Sequence, residues 1–384
     1  MRVLFSTLSL DARQGGGTGQ RTRFLAAHLA RTGTICTVIT MDDGDLAQAL
    51  RAEGIEVYAT GYLKPRYHVP LINLFHLDRM VRDVDVLHIL GYWNLLSIAV
   101  AWRARRHAKP YLLSGAGEFM ALDSSSLVKK WFHNLIGKRM IAGASGLVAI
   151  TELERQFIVG KLGVDPASVT VIPNGVEDPP DELASHVGLP QFPFILFLGR
   201  LAHIKGPDLL LDAFAQIADQ FSMVSLVFAG PDGGMLSELQ TRSVDLGLEN
   251  RVMFTGFLDE AARAAAYRKS LMLAVPSRDE AMSLVALEAG TFAKPVLLTD
   301  RCGFDVETIG GGLVVPATQT GLSAGLVALL ANPDHLADMG MKLKDHVTER
   351  YAWSAVAESL LERLQAAIGS SRMPRHDRID HLRS

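Results

Sequence analysis

Short apolar runs rich in β-formers alternate with helix-length segments along almost the whole chain, and the alternation occurs in two separate blocks. Runs continuous in Val, Ile and Leu, instead of apolar alternating with polar, suit strands of a parallel sheet covered on both faces. In the first block the expected strands are residues 3–7, 36–40, 55–59, 86–90, 111–114, 147–151 and 169–172. In the second they are 195–199, 226–230, 252–255, 271–276, 296–299 and 313–315. Parallel neighbours need crossover connections, so the segments between read as helices and the chain as an α/β protein of two Rossmann-like domains facing each other across a cleft. At 384 residues the chain is too long for a single hydrophobic core, which agrees with that division.

Between the blocks, Pro173-Asn174-Gly175-Val176 and the following Pro179 and Pro180 open a polar stretch ending near Pro193. Turn formers concentrated in this way suit a hinge. The expected organisation is a first domain over 1–173, a linker over 174–193, a second domain over 194–350, a helix over 351–368 able to cross back to the first domain, and a flexible polar tail over 369–384. Cys36 and Cys302 are the only cysteines, which excludes a disulfide scaffold and fits a reducing, cytoplasmic setting. Met1–Phe5 meets Gly15, Gly16 and Gly17 before an apolar stretch can develop, so no secretory leader is expected. The longest uncharged stretch, 310–333, is broken by Pro316, Thr318, Gln319 and several glycines and is not read as a membrane span. The net charge of −3 is divided unevenly: residues 1–180 carry 20 Lys and Arg against 16 Asp and Glu, and residues 181–384 carry 18 against 25.

Several strand-end segments carry chemistry. Gly15, Gly16, Gly17, Thr18 and Gly19 follow the first strand and precede a helix expected over 20–31, where a glycine loop lets backbone N–H groups approach a phosphate or a sugar. The spacing is not that of the dinucleotide fingerprint, and a flexible turn is the alternative reading. In the second block Gly199 and Arg200 close a strand, and Lys205-Gly206-Pro207 opens a helix with proline in its first turn. Arg200 and Lys205 beside a helix N-terminus form a site for a diphosphate, or else ordinary surface charge. Glu280 and Glu288 lie eight residues apart, in a loop and on the helix after it, too far turned to chelate one metal and suited to different parts of an extended ligand. Ser277 and Glu280 also match a helix capping box. Helix N-terminal amides from Ser283 and Leu284 onward would face the same ligand. His88, in an expected strand, either touches a bound sugar from the strand's end or is a buried, satisfied histidine. Residues 126–140 read as one basic helix with Trp131, Leu135 and Met140 on an apolar stripe. Lys129, Lys130, Lys138 and Arg139 around it fit either an anionic membrane surface or a solvated helix face.

Together these residues resemble the retaining glycosyltransferases of family 4, the group 1 glycosyltransferases, which have the GT-B fold. Gly199-Arg200 with Lys205-Gly206, and the carboxylates Glu280 and Glu288 separated by seven residues, match that family's second-domain motifs. The stretch from Ile172 to Val176 resembles its interdomain signature, Ala229-Gly230-Pro231-Asp232-Gly233 and Phe254-Thr255-Gly256-Phe257 resemble two of its strand-end loops, and residues 147–152 resemble its last first-domain strand. The resemblance runs from Val3 to about Ile368. It implies an acceptor-side first domain and a nucleotide-sugar-binding second domain, with Gly199, Gly230, Phe257, Ser283 and Leu284 in the donor site, Arg200 and Lys205 on the diphosphate, Glu280 on the transferred sugar and Glu288 on the ribose.

His88 and Glu118 join Glu280 as candidate catalytic residues. The implied reaction is metal-independent and cofactor-free transfer, with retention, from a nucleotide-diphosphate sugar to a hydroxyl of a lipid-linked or polysaccharide-precursor acceptor. Its setting is bacterial envelope glycan synthesis, such as lipopolysaccharide assembly, on the cytoplasmic face of the inner membrane; no nucleic acid is expected. The chain departs from the family in two places. It reads Glu280-Ala281-Met282-Ser283-Leu284 where the family carries Glu-Gly-Phe-Gly-Leu, and Ala116 stands where many relatives place a basic residue, with Glu118 the substitute at hand. An inactive nucleotide-sugar-binding scaffold and a GT-B nucleotide-sugar epimerase are the competing readings.

Overall fold

The computed structural model describes residues 1–11, 15–63, 68–122, 127–177, 179, 188–280 and 282–372. They form two compact units, Met1–Asn174 together with the chain from Trp353 onward, and Gly175–Ala352. The chain therefore passes between units at two points, 174/175 and 352/353; of the residues expected in a separate linker over 174–193, Asn174 belongs to the first unit and the other described ones to the second.

In the first unit the strands are β1 (Arg2–Ser6), β2 (Ile35–Thr40), β3 (Glu56–Ala59), β4 (Tyr62–Leu63), β5 (Val69–Pro70), β6 (Val86–Leu90), β7 (Tyr111–Ser114), β8 (Gly146–Ala149) and β9 (Val169–Val171). The helices are α1 (Gly16–Arg31), α2 (Asp45–Ala52), α3 (Leu74–Asp83), α4 (Leu95–Arg106), α5 (Leu127–Phe132), α6 (Lys138–Gly143) and α7 (Glu152–Leu162). Seven strands pair in parallel in the order β3-β2-β1-β6-β7-β8-β9. Successive side chains point to opposite faces, so Val3, Phe5, Val86, Leu90, Leu112 and Val148 bury one core. Leu4, Leu87, Ile89, Leu113 and Leu147 bury the other, with Leu77, Leu96, Val100 and Ile158 from the helices.

The second unit holds β10 (Phe194–Leu198), β11 (Ser225–Ala229), β12 (Val252–Gly256), β13 (Met272–Val275), β14 (Val296–Thr299) and β15 (Gly312–Val315). Its helices are α8 (Pro207–Ile217), α9 (Leu236–Asp245), α10 (Glu260–Lys269), α11 (Leu284–Thr291), α12 (Gln319–Leu330) and α13 (Pro333–Tyr351). Its parallel sheet runs β12-β11-β10-β13-β14-β15. Phe197, Phe228 and Met272 meet Leu210, Phe214 and Leu326 in its core. Both sheets reverse direction of growth beside their first strand, at β1/β6 and at β10/β13, where open α/β sheets bind ligands outside the carboxyl ends of the strands.

The last helix, α14 (Trp353–Arg372), belongs to the first unit. Trp353, Val356, Ala357, Leu360, Leu364 and Ala367 recur at helical spacing and all enter the core that contains Val3 and Phe5. Trp353 stacks on Phe24 of α1 with ring centroids 5.0 Å apart. Residues 369–372, expected in the flexible tail, continue this helix, and the rest of that tail lies outside the described residues.

Two further expectations are corrected, and one element was not expected. Helix α1 begins at Gly16, not after Gly19. The helix expected over 126–140 is divided by a π-turn at His133–Gly137, so Met140 is buried while Trp131 and Leu135 are exposed and share no stripe with it. The antiparallel β4/β5 pair has two residues per strand, too few for any periodicity to reveal. No helix among the described residues is long and apolar enough to cross a membrane.

Candidate functional site

In the second unit the loops that follow β10 and β13 lie together at the sheet's reversal point. Gly206 has φ +66°, and a β-carbon there would meet the Pro276 carbonyl oxygen at 2.0 Å. The two loops touch at that point only because the residue is glycine. Arg278 N–H donates to Ile204 O at 2.8 Å, and the Arg278 guanidinium donates to His203 O at 2.6 Å. The same guanidinium grips Asp208 in α8 through two bonds of 2.8 and 2.6 Å. Burial alone would raise the Asp208 carboxyl, but the Arg278 bonds and charge outweigh it and hold the group below its ordinary value.

This clamp sets Glu280 beside Lys205. Lys205 Nζ lies 3.0 Å from Glu280 Oε1, and Ser277 Oγ donates to Glu280 Oε2 at 2.7 Å. Ser277 and Glu280 therefore do interact, but not as a capping box, because α11 starts at Leu284 and its cap is Ser283, whose hydroxyl accepts from Ala286 N–H. The Glu280 backbone is pinned to the loop after β14, donating to Arg301 O at 3.0 Å and accepting from Gly303 N–H at 3.1 Å.

Arg200 is exposed at the end of β10 and has no ion-pair partner among the described residues. Its stem passes close by Gly233, where a β-carbon would meet Arg200 Cγ at 2.8 Å. Gly230, after β11, has φ +142°, and a β-carbon there would strike Gly199 O at 2.0 Å. Gly199 and Gly230 thus serve close packing between neighbouring strand ends. Phe257 follows β12 and is 64% exposed.

Glu288 lies on the second turn of α11 and is held from α10. Its Oε2 accepts from the Tyr267 hydroxyl at 3.0 Å and faces Arg263 Nε at 3.5 Å. Burial raises the Glu288 carboxyl above its ordinary range, against the opposing pull of Arg263 and the Tyr267 bond. The two carboxylates thus have separate cationic partners, Lys205 for Glu280 and Arg263 for Glu288. Ala281 lies outside the described residues.

In the first unit the site residues are arranged differently from expectation. His88 is completely buried in the middle of the sheet, between Phe5 on β1 and Leu112 on β7, with its ring edge-on to Phe5 at 5.6 Å. It is not at a strand end, and neither ring nitrogen has a partner among the described residues. Burial, aided by the Arg21 charge, lowers it to about 3, so the imidazole is neutral.

Gly16 to Gly19 form the first turn of α1. β-Carbons at Gly15 and Gly19 would meet Ser9 O at 2.6 and 2.8 Å, so these two glycines admit the chain's own backbone, while Gly16 and Gly17 are exposed. Thr18 O accepts from the Thr22 hydroxyl. Glu118 stands after β7 and accepts from Tyr92 N–H at 2.5 Å and Trp93 N–H at 3.1 Å, binding the β6 and β7 loops together. Burial raises its carboxyl, opposed by those two bonds and by Lys129.

Sequence reasoning missed Arg21, Glu154 and the Arg278–Asp208 clamp. Arg21 is buried in α1 and donates to Ile172 O, Pro173 O and Asn174 Oδ1, at the point where the first unit ends. The one available signal was a charged residue on the buried face of an amphipathic helix.

Two family models match the chain: a glycosyl transferase 4-like domain over residues 16–175 and glycosyl transferases group 1 over residues 182–346. A D-inositol 3-phosphate glycosyltransferase of Gordonia bronchialis is 32% identical over 309 residues, covering 74% of this chain and 67% of the relative. Among solved structures, Anabaena HepE in complex with UDP aligns with a TM-score of 0.78 at 19% identity, over 95% of this chain and all of that one. HepE has also been solved with UDP-glucose. WaaG, described as a glycosyltransferase involved in lipopolysaccharide biosynthesis, aligns with a TM-score of 0.67 at 15% identity, over 95% and 99% of the two chains. The chain belongs to the group 1 glycosyltransferases of family 4 and has their GT-B fold of two Rossmann-like domains.

Proposed function

We propose that the protein transfers a sugar, with retention of anomeric configuration and without a metal, from a nucleotide-diphosphate sugar bound on the second unit to a hydroxyl acceptor received by the first. The observation that carries this is the grouping of exposed Arg200, the Lys205–Glu280 pair and the amide end of α11 at the β10/β13 reversal point. As the glycosidic bond to the diphosphate breaks, negative charge grows on the leaving group. Fixed cations and helix amides stabilise that charge without reorganising. Lys205 changes partner, leaving Glu280 for the diphosphate, which frees the carboxylate to accept hydroxyls of the transferred sugar. Glu288, whose Oε2 is held from α10, accepts from the ribose.

The acceptor we infer is lipid-linked or a polysaccharide precursor, met at the cytoplasmic face of a bacterial membrane during envelope glycan synthesis. Supporting this, Trp131, Leu135, Lys129, Lys130, Lys138 and Arg139 are exposed, and Leu135 and Arg139 line a cavity of roughly 130 Å³ with Trp102, Arg105 and Met140. Phe75, Leu74 and Leu71 add exposed apolar surface near the start of α3. Cosedimentation with anionic but not neutral vesicles tests the membrane contact.

The function itself is tested by incubating the protein with UDP-glucose and a panel of acceptors that includes polyprenyl-phosphate-linked sugars and D-inositol 3-phosphate. Transfer product is expected, and Glu280→Gln should lower its rate about a hundredfold while the melting temperature stays close to wild type. UDP binding with neither transfer nor hydrolysis would make the protein a binder. Donor conversion without acceptor would make it an epimerase.

A further inference from the structure

Behind Glu118 lies a second buried carboxylate. Glu154, in the first turn of α7, is fully buried, and its two oxygens serve different elements. Oε2 accepts from Ile150 N–H at 2.8 Å, and Oε1 accepts from Gly117 N–H at 2.8 Å in the loop after β7. Helix α7 does not need the second bond, because Thr151 already caps it by accepting from Glu154 N–H at 3.1 Å.

The loop that Glu154 reaches is held in an unusual conformation. Ala116 has φ +48° and Gly117 φ +91°. A β-carbon disfavours the left-handed region, so an alanine stays there only where its surroundings impose it. The next residue carries the constraint outward. Glu118 accepts from the Tyr92 and Trp93 amides, and Trp93 Nε1 donates back to Glu118 O at 3.0 Å. Lys129 Nζ lies 5.3 Å from the centre of the half-buried Trp93 ring. All of these groups stand after β6 and β7, at the carboxyl edge of the first sheet.

We propose that Glu154 is a positioning residue for the acceptor: by holding Gly117 N–H it fixes the 115–118 turn, and through Glu118 it sets the Trp93 indole where the acceptor is received. The proposal rests on the reading of the first unit as the acceptor side. Burial raises the Glu154 carboxyl above its ordinary range, opposed by the bonds from the Ile150 and Gly117 amides and by the Arg21 charge, while the neighbouring Glu118 adds to the rise.

Glu154→Gln keeps the shape but leaves a single accepting oxygen for two N–H donors, Ile150 and Gly117, so the paired bonds that tie the turn to α7 cannot both form. The expected result has three parts. Amide exchange accelerates across residues 115–118; the Trp93 contribution to fluorescence, isolated by comparison with Trp93→Phe, changes; and UDP affinity measured by calorimetry stays at the wild-type value. With UDP-glucose and whichever panel acceptor supports turnover, KM for that acceptor rises about tenfold while kcat and KM for donor change little. Adding Ala116→Gly to Glu154→Gln should recover part of the lost acceptor KM, since glycine adopts the turn without being held. If Glu154→Gln does not fold, Glu154→Asp, which keeps the charge but is one methylene too short to reach Gly117, takes its place. Wild-type exchange at 115–118 in the variant overturns the proposal, as does an equal loss of donor and acceptor affinity. If no acceptor supports turnover, the transferase reading fails, while the exchange and fluorescence measurements still decide whether Glu154 holds the turn.

Discussion

His88 illustrates how burial decides what a titratable side chain can do. A histidine at the edge of a sheet titrates near neutrality and can exchange protons with a ligand; His88 sits at mid-strand against Phe5, and burial lowers it to about 3. Its contribution is to stability. The folded value lies below the ordinary 6.5, so above pH 6.5 folding involves no proton change at this residue. As the pH falls from there toward 3, the unfolded chain gains a proton that the folded chain refuses, and stability declines. His88→Leu should remove this dependence. Denaturation midpoints at pH 6.5 and pH 5 should show the wild type losing about 2 kcal/mol more than the variant. Parallel losses in the two proteins would mean that His88 does not titrate in this way.

At the scale of elements, α14 binds the end of the chain to its beginning. Its apolar side fills the core under β1, and the stacked pair Trp353–Phe24 lies where the helix starts. Trp353→Ala leaves a large void in that core and should cost about 3–5 kcal/mol in chemical denaturation. A loss below about 1 kcal/mol would mean that the helix is not part of that core.

The elements themselves were largely legible in the sequence. Each of the thirteen principal strands is a short run of large apolar residues between turn formers, and strands buried on both faces leave such a run whatever their neighbours. The positions of the candidate donor-side residues were legible for the same reason, since Gly199, Arg200, Lys205, Glu280 and Glu288 are placed by where strands end and helices begin. What escaped was anything that joins distant parts of the chain. Arg278 meets Asp208 across 70 residues, Glu154 meets Gly117 across 37, and Arg21 meets Ile172 across 151. No periodicity marks such pairs. The division of the helix near Trp131 was missed for a more local reason: a π-turn shifts the register, so that spacing counted at 3.6 residues placed Met140 on a face it does not share.

On the scale of the whole molecule, the two units share the same order over six strands, with a seventh in the first, but carry different chemistry at the carboxyl edge. The second presents cations and helix amides around one paired carboxylate, while the first uses two buried carboxylates to hold its loops and leaves aromatic surface beside them. The second half of the chain carries the larger acidic excess, yet it holds the expected diphosphate site. In the proposed reading, attraction of the donor depends on local placement of Arg200 and Lys205, not on overall charge. The most direct measurement is a structure of the protein with UDP-glucose. The expected result has the diphosphate between Arg200, Lys205 and the first amides of α11, with Lys205 moved from Glu280 to the phosphates and the ribose on Glu288. A nucleotide bound elsewhere, with the Lys205–Glu280 pair intact, would contradict it.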